Sequence, residues 1–201
     1  MIKIVIFDDH RERSEAIRLL ISLQDDMMCI GLYEDCTDLV KNLTINVPDV
    51  VLMDVHMPRV SGLEGVKLVK KYFPEILIIM QTVFEDDDNL FDSLLAGAHS
   101  YFLKKTSNKK MMEEIINVID GESAMTPEIA KRALSYFREN EITAEEKVFP
   151  LSDRETSILV HIANGYSLNQ IAKDFFFSKT EINNLIRNIY NKMHSNNANL
   201  P

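Results

Sequence analysis

Pro48-Asp49-Val50-Val51-Leu52-Met53-Asp54-Val55-His56-Met57-Pro58 is the stretch on which the fold turns. Val50 to Asp54 reads as a short β-strand, apolar until its last residue. A strand without polar alternation is buried on both faces, as in a parallel sheet with helices on either side. This one ends on a carboxylate. In open α/β sheets, sites form outside the carboxyl ends of the strands. An Asp at a strand end also starts a turn with no further role. On its own, Asp54 supports either reading.

Three more runs decide between them. Ile2 to Phe7 is a β-rich run that delivers Asp8 and Asp9. Leu77 to Gln81 delivers Thr82, and Ser100 to Leu103 delivers Lys104. If these strands are parallel neighbours, their ends converge on one rim. Three carboxylates do not gather without a cation. Hard oxygen ligands suit Mg²⁺, which also accepts phosphate oxygens. A lysine and a hydroxyl opposite it are suited to the other oxygens of a phosphoryl group.

The periodicity places strands at 2–7, 28–33, 50–54, 77–81 and 100–103. Helices are expected near 12–23, 36–45, 63–72, 86–96 and 108–120. This alternation predicts an α/β fold, a doubly wound, five-stranded parallel sheet with right-handed crossovers. Ser61-Gly62-Leu63-Glu64 is a capping box that opens the third helix, and Pro74 closes it. Asp86-Asp87-Asp88 reads as a solvated helix start rather than a metal site, since acids in a first turn need only the helix dipole.

The chain has 201 residues and a net charge of −9. That length exceeds one such sheet and predicts a second, small domain. The boundaries fall at 1–120, 121–149 and 150–201, with net charges of −8, −2 and +1. The middle segment reads as a linker with one helix, begun at Thr126-Pro127-Glu128 and followed by a charged tether. Cys29 and Cys36 form neither a disulfide framework nor a metal site, which fits a reducing, cytoplasmic compartment. No run approaches the roughly 20 apolar residues that span a bilayer.

Residues 150–201 read as an all-α domain. Ser152-Asp153-Arg154-Glu155 and Ser178-Lys179-Thr180-Glu181 are capping boxes, and Asn164-Gly165 ends the helix that the first one opens. A short helix capped by Ser167, a tight turn and a longer helix make a helix-turn-helix. The longer helix buries Ile182, Leu185 or Ile186, Ile189 and Met193. It is expected to expose Asn183, Asn184, Arg187, Asn188 and Asn191. Asn pairs with adenine and Arg with guanine in the major groove.

Asp8-Asp9-His10, Asp54-Val55-His56-Met57-Pro58, Gln81-Thr82 and Gly97 to Lys105 together resemble the receiver domain of two-component response regulators. Leu151 to Glu155, Ile162 to Ala172, Ser178 and Ile189 to Met193 resemble the LuxR-type DNA-binding domain. The whole chain is thus similar to the NarL/FixJ class. The resemblance implies that Asp54 accepts phosphate from a histidine kinase. It implies that Asp9, Asp54 and the backbone carbonyl of His56 bind Mg²⁺, with Asp8 assisting through water. Thr82 and Lys104 would contact the phosphoryl oxygens, and Tyr101 would turn inward as Thr82 moves. His56 and Phe84 occupy the two positions that tune phosphoryl lifetime. Lys179, Asn183, Asn184, Arg187, Asn191 and Lys192 are the expected DNA contacts.

There are departures from the family pattern. Val83 stands where receivers carry Ala or Gly, and a β-branched side chain there would narrow the approach to Asp54. In the recognition helix, Asn183, Leu185 and Ala198 replace the customary Lys, His and Arg, which depletes the phosphate-neutralising charge. The leading reading is a phosphorylation-switched transcription factor that binds double-stranded DNA and pairs as a homodimer when phosphorylated. It accepts and loses phosphate but turns over no separate substrate. The alternative is a signalling adaptor whose helical domain binds a protein. A phosphatase is disfavoured because Asp8 and Asp9 are adjacent and no substrate cap is evident.

Overall fold

A computed structural model describes residues 1–84, 88–140 and 150–199. The chain divides into two compact units, residues 1–119 and 120–201. The first is a five-stranded sheet of β1 (Ile2–Phe7), β2 (Met27–Tyr33), β3 (Val50–Asp54), β4 (Leu77–Thr82) and β5 (Ser100–Leu103). The strand order is β2-β1-β3-β4-β5, and every pairing is parallel. Helices α1 (Arg11–Ser22), α2 (Leu39–Ile45), α3 (Gly62–Tyr72), α4 (Asp88–Leu95) and α5 (Asn108–Ile119) make the crossovers.

All five residues of β3 are buried, as an apolar run in the middle of a parallel sheet requires. The register sets Phe7 beside Met53, Asp54 beside Gln81, and Thr82 beside Leu103. The ends of β1, β3, β4 and β5 therefore share one edge. Ile17 and Ile21 of α1 and Met111, Ile115 and Val118 of α5 pack against Ile4, Ile6, Leu52 and Ile79 on one face of the sheet. On the other face, α3 approaches β3 closely. A Cβ added at Gly65 would lie 2.6 Å from Cys36 Sγ and 2.7 Å from Met53 Sδ, and one added at Gly62 would collide with the carbonyl oxygen of Asp54.

The predicted elements match the observed ones except at the margins. Helix α2 starts three residues later than the pattern suggests. An Asx turn occupies its expected start, with the Thr37 amide donating to Asp35 Oδ1 at 2.7 Å. Asp86 and Asp87 lie outside the described residues, and Asp88 begins α4.

The second unit is helical, with α6 (Pro127–Asn140), α7 (Asp153–Ala163), α8 (Leu168–Asp174) and α9 (Lys179–Asn199). Both expected capping boxes form. Ser152 Oγ accepts from the Glu155 amide, and Ser178 Oγ from the Glu181 amide. Each glutamate reaches back to its serine amide at 2.7 Å. The stretch read as a linker contributes α6, which buries Ile129, Ala130, Ala133 and Phe137 and packs on α7. The tether at 141–149 lies outside the described residues.

Candidate functional site

The strand-end residues meet as the spacing predicts. Asp8 and Asp54 are buried, at 1% and 3% exposure, while Asp9 is exposed. Lys104 Nζ donates to Asp54 Oδ2 at 2.6 Å and to Asp8 Oδ1 at 3.4 Å. The His56 amide points at Asp54 Oδ1 from 3.4 Å. Burial pushes the Asp54 carboxyl above its ordinary pKa. Lys104 opposes this with its hydrogen bond and its charge, and the neighbouring Asp8 adds to the rise.

Asp8, Asp9, His10 and Asp54 each bring one donor atom within 4.8 Å of the others. Three carboxylates and a ring nitrogen suit a divalent cation, and the oxygens suit Mg²⁺. Among the described residues Asp8 Oδ2 has no hydrogen bond, and the Arg13 guanidinium faces it at 3.4 Å. His10 was not singled out in the sequence. Its Nδ1 lies 2.7 Å from Asp9 Oδ1, so the ring orients an acid before it offers a ligand. The adjacency of His10 to Asp8-Asp9 was the available signal.

Thr82 is buried, and its hydroxyl is engaged in its own loop. It donates to the Phe84 carbonyl at 3.1 Å and accepts from the Phe84 amide at 3.3 Å. Tyr101 is buried, at 3% exposure. Val83 and Phe84 are 53% and 65% exposed.

On α9 the expected reading face changes. Asn184, Arg187, Asn188 and Asn191 are exposed, but Asn183 is buried at 8% exposure. The reason is a segment that crosses the helix. Glu122 Oε2 lies 3.4 Å from Lys179 Nζ, and the Tyr190 hydroxyl donates to the Ala124 carbonyl at 2.6 Å. A Cβ at Gly121 would lie 2.8 Å from Arg187 Nη1. Asn183 sits on that same face, a turn from Lys179 and from Arg187. Lys192 is also committed within the fold. Its ammonium donates at 2.7 Å to both Glu155 Oε2 and the Pro150 carbonyl. Burial corrects the expectation that Asn183 is exposed, and Lys192 is engaged within the fold.

Residues 4–116 match the response regulator receiver domain. The chain belongs to the response-regulator family. The rest of this response regulator matches the luxR family of bacterial regulatory proteins over residues 149–199. It is 32% identical over 188 residues to YhcZ of Bacillus subtilis, an uncharacterized transcriptional regulatory protein, covering 92% of this chain and 87% of that one. It is 31% identical over 196 residues to the transcriptional regulatory protein YdfI of the same organism, covering 98% and 91%. Among solved structures, RcsB of Salmonella enterica serovar Typhimurium, bound to a promoter in the presence of a beryllofluoride phosphomimetic, superposes with a TM-score of 0.58. At 24% identity and 96% and 92% coverage, that likeness speaks to the fold.

A receiver with its Mg²⁺-type acidic cluster, joined to a LuxR-type helix-turn-helix, makes the response regulator a phosphorylation-activated, DNA-binding transcriptional regulator. Among the described residues, no helix is long and apolar enough to cross a membrane.

Proposed function

We propose that Asp54 is the phosphoacceptor. The observation that carries this is the 2.6 Å contact of Lys104 Nζ with a carboxylate that is otherwise buried among acids. An Asp54 oxygen attacks phosphorus while the phosphorus–nitrogen bond of a kinase phosphohistidine breaks, and the imidazole takes up a proton. Asp9, Asp54 and the His56 carbonyl would hold Mg²⁺, with Asp8 assisting through water. When bound, the ion supplies positive charge to the phosphoryl oxygens. Lys104, already on Asp54 Oδ2, would take a second phosphoryl oxygen, and the Thr82 hydroxyl a third. For Thr82 to take up that oxygen, it must give up one or both bonds to Phe84, so Phe84 moves with it.

The consequence is a homodimer in which paired α9 helices read two half-sites about one helical turn apart on double-stranded DNA. Asn184, Arg187, Asn188 and Asn191 are the exposed side chains suited to base edges, and Lys179 to the backbone.

The test is intact-mass measurement after treatment with acetyl phosphate and Mg²⁺. One added phosphoryl group is expected, and none on Asp54→Ala. A phosphorylated Asp54→Ala protein overturns the assignment. Sedimentation with beryllofluoride should show a dimer, and an unchanged monomer at tens of micromolar protein overturns the dimer switch.

A further inference from the structure

Arg13 touches three of the strand ends that build the site. Its Nε lies 3.4 Å from Asp8 Oδ2, at the end of β1. Its Nη2 donates to Gln81 Oε1 of β4 at 3.3 Å, and its Nη1 donates to the carbonyl of Lys104, just past β5, at 2.9 Å. The side chain is 26% exposed, and that of Asp8 is fully buried. Gln81 is also fully buried, and its Nε2 has no hydrogen-bond partner among the described residues. The Arg13–Asp8 approach is an ion pair without hydrogen-bond geometry, since among the described residues neither Asp8 Oδ2 nor Arg13 Nε has a hydrogen bond. The acidic cluster therefore meets a fixed guanidinium on one side of Asp8 and the Lys104 ammonium on the other.

This arrangement has two electrostatic effects. Without a divalent cation, a buried Asp8 beside Asp54 is costly unless countered. Arg13 supplies that counter-charge. Once a divalent cation sits on the carboxylates, the same guanidinium repels it.

We infer that Arg13 is a positioning residue that acts as an internal counter-cation of the acidic cluster, stabilising the metal-free receiver and weakening its hold on Mg²⁺. Its bond to the Lys104 carbonyl ties that counter-charge to the backbone carrying the phosphoryl-binding lysine. The inference rests on the reading of the cluster as the Mg²⁺ site.

The test titrates MgCl₂ into the full-length protein by calorimetry, with melting temperatures measured in EDTA and in MgCl₂. A unit charge some 5–6 Å from a divalent ion, at near-water screening, changes affinity by about tenfold. Arg13→Gln should bind Mg²⁺ about tenfold more tightly than wild type, and Arg13→Lys should stay within about twofold. In EDTA, Arg13→Gln should melt lower than wild type, and the rise on adding Mg²⁺ should be larger. Arg13→Met, which keeps the aliphatic stem, takes its place if the glutamine variant does not fold. Neutral variants that bind Mg²⁺ no more tightly than wild type overturn the role of Arg13 and leave the Mg²⁺ site standing. If neither wild type nor neutral variants bind Mg²⁺ at all, the reading of the cluster fails and this inference fails with it.

Discussion

Replacing Lys192 with Met separates a structural lysine from a DNA-binding one. Lys192 Nζ bonds Glu155 Oε2 and the Pro150 carbonyl, each at 2.7 Å. The Glu155 side chain is 5% exposed and that of Lys192 28%, so the pair lies between the surface and buried cases. Exposed pairs contribute about 0.2–1 kcal/mol, and breaking a buried pair costs about 3–5 kcal/mol. Glu155 keeps its bonds from the Ser152 amide and hydroxyl, which limits the loss. The expected cost is about 1.5–2 kcal/mol. For a unit of this size, that lowers Tm by about 10 °C. Burial pushes the Glu155 pKa up, but the bonds from Lys192 and Ser152 outweigh it and hold the pKa below the ordinary value. Stability from a depressed acid is present above its unfolded pKa, near 4.5, and is lost as pH falls through the folded value. The gap between wild type and Lys192→Met should therefore narrow in acid. Scanning calorimetry of the full chain at pH 7 and pH 4 measures it. DNA binding by anisotropy at several salt concentrations measures the other role. An unchanged Tm, with the log–log salt slope reduced in magnitude by about 0.9, would refute the structural assignment and make Lys192 a phosphate contact.

Asp54 works in the opposite sense. Because burial raises its pKa, ionisation at neutral pH opposes folding, so Asp54→Asn should raise the metal-free receiver's Tm at pH 7, and the gain should shrink as pH falls through the raised pKa. A gain independent of pH would show that the charge is not its source. The Cys36 thiol is fully buried and its pKa is pushed up to about 12 by burial, so Cys29 should react first with a thiol reagent in the native protein. Equal rates would contradict that burial. Arg187→Ala should weaken selected duplexes more than random DNA, by about 1–3 kcal/mol for a bidentate guanine contact. Equal losses on both would make Arg187 a backbone contact.

Much of the receiver was legible because one physical signal dominates it. Apolar runs of four to six residues in β1, β3, β4 and β5 admit little besides buried parallel strands, and their last residues fall where chemistry sits. Arg13 was not legible. Its role depends on the turn of α1 that brings it under β4 and β5, and nothing local marks it. The α9 face was half legible. Helical period separates Ile182, Ile186, Ile189 and Met193 from Asn184, Arg187 and Asn188. It does not show that residues 121–124 lie along a second side and bury Asn183. Lys192 looked free because its partner, Glu155, reads completely as a capping residue. One carboxylate performs both tasks, and sequence pattern assigns it only the local one.

The two glycines of α3 have a mechanical consequence. Gly62 and Gly65 lie three residues apart on the face that presses against β3, where Gly62 meets the Asp54 carbonyl and Gly65 meets the side chains of Met53 and Cys36. Sliding α3 at its first turn would drive the Gly62 backbone into the Asp54 carbonyl, so this side of Asp54 behaves as a hard stop. The opposite flank rests on Thr82 and its two bonds to Phe84, which exchange without any clash of main chains. The unit is stiff on one side of the acid and compliant on the other. Work done at Asp54 is therefore delivered in one direction, toward the end of β4, at Thr82 and Phe84.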